Sequence, residues 1–527
     1  MFKKNIFILS TLLLAACNDN DNAAPPVIVA PTSPPVVVDP FANVTATATT
    51  NLAASCAGAV SIAIMKGDEI VYAEAFGNTI KGGAVVPDSN TLFQLGSTTK
   101  MFTATAALQL VDEEILTLDE SLTVALPGLV GATGVTPGWA DITMDDLMTH
   151  QSGFEDYLGL DGPAGIHRMT PLMEFVLQDY PVESGQMNPA GKFFNYSNPG
   201  FVYVGAVVEN LRAQPYENVI ENHVFEPLGM PRATMDHDTV LLDGNYALGV
   251  SGCSGTTGTA QTELGEVAVI PYMKPVGSYA WTTPSEMMQM GKFILNGDTS
   301  ILSEEQHEKM VSPHVRILDG VPLYYAYALF VKDQGKMIGD QWLTTPMIDH
   351  GGDALSYTSI FWTVKGATPA DDIIISVLSS GDHTDFTDTA MAALGSVMEV
   401  PALVEPPFFP TQPALDDAHI GDYYSMHSAT TGMEVVRQVD DKLYIRLLGA
   451  SGVSPTLREL TAYAGSVFHF DISGSTESVS MVPLLEGETQ TVYIRNRSYV
   501  GNRFGLSSNV ARPFVLNQQN RPFSMPR

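Results

Sequence analysis

Two apolar, strand-length runs meet at Lys66-Gly67-Asp68 within residues 58–76, and two more, 357–364 and 372–379, lie far downstream, followed by a helix-patterned stretch at 385–399. Runs of this kind joined by a tight Gly-bearing turn read as strand pairs. Between them the chain is mostly helical in pattern or loop-rich. Strands contributed from both ends of such a stretch predict an α+β fold: one antiparallel sheet flanked by helices, with an inserted helical subdomain. A Pro-rich break at 401–413 ends that region. Beyond 418, short alternating runs recur at Gly421 to Tyr424, Val435 to Val439, Leu443 to Leu447, Val467 to Ile472 and Val492 to Ile494, which predicts a small β-barrel or β-sandwich. No fixed-period repeat points to a solenoid or propeller.

The 527 residues carry 26 Lys+Arg against 58 Asp+Glu, a net charge of −32. Such an acidic chain lacks the clustered cations that nucleic acid requires. Three cysteines exclude a disulfide scaffold and a multi-cysteine zinc site. Lys3 and Lys4 precede the apolar run Ile6 to Ala16, a secretory signal that falls short of the ~20 residues of a membrane span. The run ends in Leu14-Ala15-Ala16-Cys17, which resembles the lipobox of bacterial lipoproteins and implies lipidation at Cys17, a membrane anchor and a periplasm-facing protein. The Pro/Val-rich residues that follow read as an extended tether. Cys56 and Cys253 are then left; an oxidising compartment permits them to pair, and the sequence alone does not decide it.

The sharpest chemical signal is Gly96-Ser97-Thr98-Thr99-Lys100, running into the apolar stretch Met101 to Leu108. Ser and Lys three apart on a helix share a face. A serine hydroxyl attacks only when a base takes its proton, and a lysine serves as that base only when burial or positive charge lowers its pKa. Two further segments stand out: Asn195-Tyr196-Ser197-Asn198-Pro199-Gly200 before an apolar helix, and His350-Gly351-Gly352 before the strand Tyr357 to Trp362.

In order and spacing these segments resemble the three motifs of the serine β-lactamase/penicillin-binding-protein superfamily, in particular its class C, peptidase S12 and family VIII esterase branch. Leu147 to Phe154 and Gly277 to Pro284 resemble flanking segments of the same branch, so the resemblance spans roughly 45–400. It implies a β-lactamase/transpeptidase-like fold and an acyl-enzyme hydrolase. Ser97 would be the acylated nucleophile, Lys100 its hydrogen-bonded partner and Tyr196 the general base and acid, helped by Lys100; which of the two takes the first proton the sequence leaves open. Asn198 would hydrogen-bond the substrate, and the backbone N–H groups of Ser97 and Asp353 would form the oxyanion hole, approached closely because positions 351 and 352 are glycine. His350 and Asp353 depart from the family pattern. His350 stands where a lysine usually grips a substrate carboxylate, and the Asp353 carboxylate would repel an anionic terminus. Both favour esters, or amides with a neutral or amino-bearing acyl part. Residues 418–527 resemble the lipocalin-like β-barrel domains appended to some relatives.

His150 reads as a structural hydrogen-bonder, Met287, Met288 and Met290 as core, and Gly249 to Thr259 as a mobile loop. His307 and His314 have no zinc-binding spacing, and no metal or organic cofactor is implied. The expected organisation is 1–17 signal and lipidation site, 18–44 tether, 45–400 hydrolase domain, 401–417 linker and 418–527 β domain. The expected function is a serine hydrolase acting on amide, peptide or ester small molecules. The alternatives are a family VIII-type carboxylesterase, a weak β-lactamase, or a catalytically silent binder of cell-wall peptides.

Overall fold

The hairpin at the start of the domain forms because Gly67 takes the left-handed backbone (φ 59°) that the turn needs. It joins β1 (Ala59–Lys66) to β2 (Glu69–Gly77) in antiparallel register. The computed structural model of the chain describes residues 39–154, 156, 170–183, 185–186, 188–261, 263–264, 270–277, 279–317, 322–338, 341–354, 356–405, 407, 420–425, 432–449, 452–464, 467–472, 475–486, 489–496 and 499–503. The signal segment, Cys17 and the tether up to residue 38 lie outside the described residues. Those from Pro40 onward belong to one compact unit.

Later strands complete the sheet: β3 (Val315–Arg316), β4 (Tyr324–Tyr325), β5 (Phe330–Lys332), β6 (Met347–Ala354), β7 (Tyr357–Val364) and β8 (Ile373–Ser379), in the order β2-β1-β8-β7-β6-β5-β4-β3. As the strand pairs at both ends predict, β1 lies inside the sheet, second from its β2 edge, because β8 returns to pair with it, Val60 against Ser379 through Lys66 against Ile373.

Alternation along β1 feeds two cores. Val60, Ile62 and Ile64 pack with helices α1 (Ala42–Ala54) and α5 (Thr387–Val397), whereas Ala59, Ala63 and Met65 join the larger core under the helical part of the domain. That larger core contains α2 (Lys100–Asp112), α3 (Asn198–Arg212) and α4 (Pro284–Asn296). Met287, Met288 and Met290 are buried there, as the sequence reading expects. Helix α1 begins at Ala42, inside the span assigned to the tether, because Val44 and Ala48 find the sheet face to bury against.

Two expectations change. Residues 250–260 form a hairpin, Val250–Ser254 with Thr257–Ala260, where an irregular loop is expected from the sequence. Cys253 in this hairpin is disulfide-bonded to Cys56, with Cα atoms 5.6 Å apart, and the Asp382 carboxylate accepts the N–H groups of Gly252 and Cys253 at 2.8 and 2.9 Å. Ten strands between Gly421 and Arg503 make one antiparallel sheet whose first strand, Gly421–Ser425, pairs with its last, Tyr499–Arg503. Among the described residues the path ends at Gly452–Val453 and Thr461–Ala464 without joining them, so the expected closed barrel is not formed there. This sheet has its own small core, including Val435, Ile445, Phe468 and Val479. No described helix is long and apolar enough to cross a membrane.

Candidate active site

Ser97 sits on a 3-10 turn, Gly96–Thr99, that continues directly into α2. The turn can start only at a glycine. Gly96 has φ 59°, and a Cβ there would lie 2.9 Å from the Asp353 backbone N and 3.1 Å from the Gly352 carbonyl carbon. Position 352 is restricted in the same way, since its Cβ would fall 2.1 Å from the Leu95 oxygen and 2.9 Å from the Ser97 N. The backbone amides of Ser97 and Asp353 are thereby brought side by side. β5 pairs only with Met347–Asp349 of β6, so the stretch from His350 to Ala354 leaves that edge of the strand to Ser97.

Lys100 through Leu108 are all buried, and Lys100 is fully so. Its Nζ lies 3.0 Å from Ser97 Oγ, 2.7 Å from Asn198 Oδ1 and 2.9 Å from the Val276 carbonyl oxygen. Burial pulls its pKa from 10.5 to about 7, against the opposing attraction of the Asp156 carboxylate. Two of its three partners can only accept. A neutral amine therefore spends both N–H groups on Asn198 and Val276, and its lone pair is left facing the Ser97 hydroxyl.

Tyr196 converges on the same point from another segment. It hydrogen-bonds the Ser97 side chain, and its ring centroid lies 5.1 Å from Lys100 Nζ. Burial, partly offset by the Ser97 bond, holds its hydroxyl well above the ordinary tyrosine range, so it rests as a phenol. The loop carrying it is fixed by His150. The His150 carbonyl accepts the Asn195 N–H at 2.7 Å, its Nδ1 accepts the Ser197 N–H at 3.1 Å, and its ring lies 4.1 Å from that of Tyr196. His150 is thus the structural hydrogen-bonder expected, held neutral by burial and by the nearby Lys100. Ser197 then caps α3, accepting the Gly200 N–H at 3.2 Å, and Asn198 is the first residue of that helix.

His350 is buried and neutral. Its Nδ1 donates to the Gly351 carbonyl at 2.6 Å, so Nε2 accepts from the Tyr325 hydroxyl at 3.2 Å, and burial and Lys100 lower its pKa to about 3. Gly351 and Gly352 follow it in β6, and the Asp353 side chain turns to the surface to pair with His383. Ser97, Lys100, Tyr196, Asn198 and the Gly352–Asp353 backbone are brought together; the His350 ring is engaged with Tyr325 and the Asp353 carboxylate with His383.

Sequence reasoning passes over Asp156, whose carboxylate accepts the Asn198 N–H at 2.7 Å and its Nδ2–H at 3.4 Å. It also passes over the Val276 carbonyl, Tyr325 and His383. None of these lies in a motif of its own.

A Beta-lactamase family model matches residues 46–396. Penicillin-binding protein 4 of Amycolatopsis lactamdurans is 31% identical over 173 residues, 33% of this chain and 43% of that protein. Esterase EstB of Burkholderia gladioli is 31% identical over 186 residues, 33% of this chain and 45% of the esterase. The chain thus spans less than half of each of these two relatives. Among solved structures, SurE, crystallised alone and with D-Leu, superposes with TM-scores of 0.65 and 0.64 over 88% of this chain, covering 99% and 98% of SurE at 16% and 15% identity, a likeness of fold alone.

Proposed function

Because the chain belongs to the Beta-lactamase family, we propose that it is a serine hydrolase working through an acyl-Ser97 ester, with amides, peptides or esters as substrates. The observation that carries this reading is the set of hydrogen-bond partners of Lys100: among the described residues, Asn198 Oδ1 and the Val276 carbonyl can only accept, whereas the Ser97 hydroxyl can give the amine a proton. Ser97 Oγ attacks the substrate carbonyl as its proton passes to Lys100. The developing oxyanion is held by the N–H groups of Ser97 and Asp353. Tyr196, a phenol hydrogen-bonded to Ser97, donates to the departing group, and Asn198 positions the substrate amide or carbonyl. Water then attacks the ester, with Tyr196 and Lys100 moving the protons.

His350 is neutral with both ring nitrogens occupied, so it offers no cation to a substrate carboxylate. This supports neutral or amino-bearing acyl groups over penicillins and free-carboxylate peptides. That SurE is solved with D-Leu supports a D-aminoacyl group, and the likeness to EstB supports an ester as a second reading. The run ending in Cys17 supports a lipid-anchored enzyme on the periplasmic side of the envelope.

A fluorophosphonate probe followed by intact mass should label the protein once, with the adduct on Ser97. Ser97→Ala should lose both the adduct and turnover of p-nitrophenyl esters, D-aminoacyl amides and a chromogenic cephalosporin, compared by kcat/KM. Retained turnover in a folded Ser97→Ala variant rejects the assignment.

A further inference from the structure

The side chains of Asp353 and His383 pair with each other and have no part in the steps above. Asp353 contributes its backbone N–H beside Ser97, while its carboxylate, half exposed at the rim, accepts two bonds from His383. One comes from the backbone N–H at 3.3 Å and the other from Nδ1. His383 is held for this contact. Its backbone is left-handed (φ 51°), and the preceding residue, Asp382, is anchored to the disulfide-bonded hairpin through Gly252 and Cys253. Among the described residues, the other ionisable groups found around the imidazole are carboxylates. Asp382 precedes it in the chain, and Asp385 and Asp388 line the same cavity of about 310 Å³ as His383. No lysine or arginine lines that cavity among the described residues.

We propose that this pair sets the substrate charge the site accepts. With His383 protonated the Asp353 charge is cancelled, and acyl or leaving groups bearing a carboxylate are tolerated. With His383 neutral the Asp353 carboxylate stands uncompensated beside the oxyanion donors, so anionic substrates are turned away and cationic ones favoured. The Asp353 hydrogen bond raises the pKa of His383 above the usual histidine range, against partial burial, so the proton is kept to higher pH and rejection of anions sets in as pH climbs past it.

The inference rests on the serine-hydrolase reading, and the experiment keeps the two apart. Matched p-nitrophenyl esters with neutral, carboxylate-bearing and amine-bearing acyl groups are compared by kcat/KM across the histidine titration. Titration of Lys100 affects all three alike and cancels in the ratios. In the wild type the anionic-to-neutral ratio should fall about five-fold as pH rises, the effect of one unit charge across a wet cleft. His383→Gln should hold that ratio low at every pH, Asp353→Asn should raise it, and the amine-bearing ester should respond in the opposite sense. A flat ratio in a wild type that hydrolyses the neutral ester through Ser97 overturns the role of the pair, as do two variants that shift the ratio in the same direction. Hydrolysis of the neutral ester that survives in Ser97→Ala defeats the hydrolase reading itself.

Discussion

Lys100→Met should abolish turnover and leave a protein whose stability relative to wild type changes steeply with pH. The lysine is fully buried, and its pKa falls from 10.5 to about 7. At about 1.36 kcal/mol per unit, stripping its proton to fold at neutral pH costs roughly 5 kcal/mol. Methionine keeps the stem volume but leaves Asn198 Oδ1 and the Val276 carbonyl unpaired, at ~1–3 kcal/mol each. The variant is therefore roughly equal to or up to ~3 kcal/mol more stable than wild type near pH 7. The slope is the sharper quantity. Between the folded pKa of about 7 and the unfolded value of 10.5 the unfolded chain binds more protons than the folded one, so wild-type stability rises with pH while the variant lacks this contribution. The advantage of the variant should shrink by up to ~1.4 kcal/mol per pH unit in that window. Chemical denaturation of both proteins at several pH values measures it. A stability difference that stays constant from neutral to alkaline pH refutes a neutralised lysine, and with it the base proposed for Ser97.

Two other substitutions test the scaffold. Gly96→Ala places a methyl 2.9 Å from the Asp353 N, a backbone atom that cannot rotate away, in a left-handed conformation. It should cost ~1–2 kcal/mol in thermal or chemical melts and lower kcat more than ~10-fold by parting the two oxyanion donors. Asp349→Ala removes the buried carboxylate that pairs with both Lys332 and Lys336, and should destabilise by ~3–5 kcal/mol in chemical denaturation. Combining Asp349→Leu with Lys332→Met should recover most of that loss, which a purely steric account of Asp349 does not predict.

The parts of the site legible in the sequence are those fixed by short-range geometry. One helical turn decides that Ser97 meets Lys100, and the start of α3 fixes Asn198 two residues from Tyr196. The glycines at 351 and 352 mark a backbone that must approach another closely. The interior strand β1 is legible because it is apolar on both faces and matches a second pair of runs near the end of the domain. What escapes is decided by tertiary placement. Asp156 lies 42 residues before Asn198 in the sequence and acts only because the fold brings its carboxylate to that residue's amide. Val276 contributes a carbonyl, which every residue has. His383 is one imidazole among 11 histidines, singled out only by the aspartate across the rim. The Gly/Ser/Thr composition of 249–259 suggests mobility, whereas a disulfide and the Asp382 carboxylate hold it as a hairpin. Short alternating runs after residue 418 specify an antiparallel sheet, but alternation carries no information on whether its ends join.

Asp156 bears directly on the role proposed for Lys100. An asparagine offers oxygen on one side of its amide and nitrogen on the other, and only the oxygen leaves the lysine lone pair free for Ser97. Were Asn198 turned over, its N–H groups would claim that lone pair and the hydroxyl would lose its base. The Asp156 carboxylate accepts both the backbone N–H and the Nδ2–H of Asn198, which ties the amide nitrogen to the far side and presents Oδ1 to Lys100 at 2.7 Å. The same carboxylate pulls the lysine pKa upward, against the burial that lowers it. In the proposed mechanism, a balance near 7 suits an amine that must take the serine proton and give it up again within one turnover.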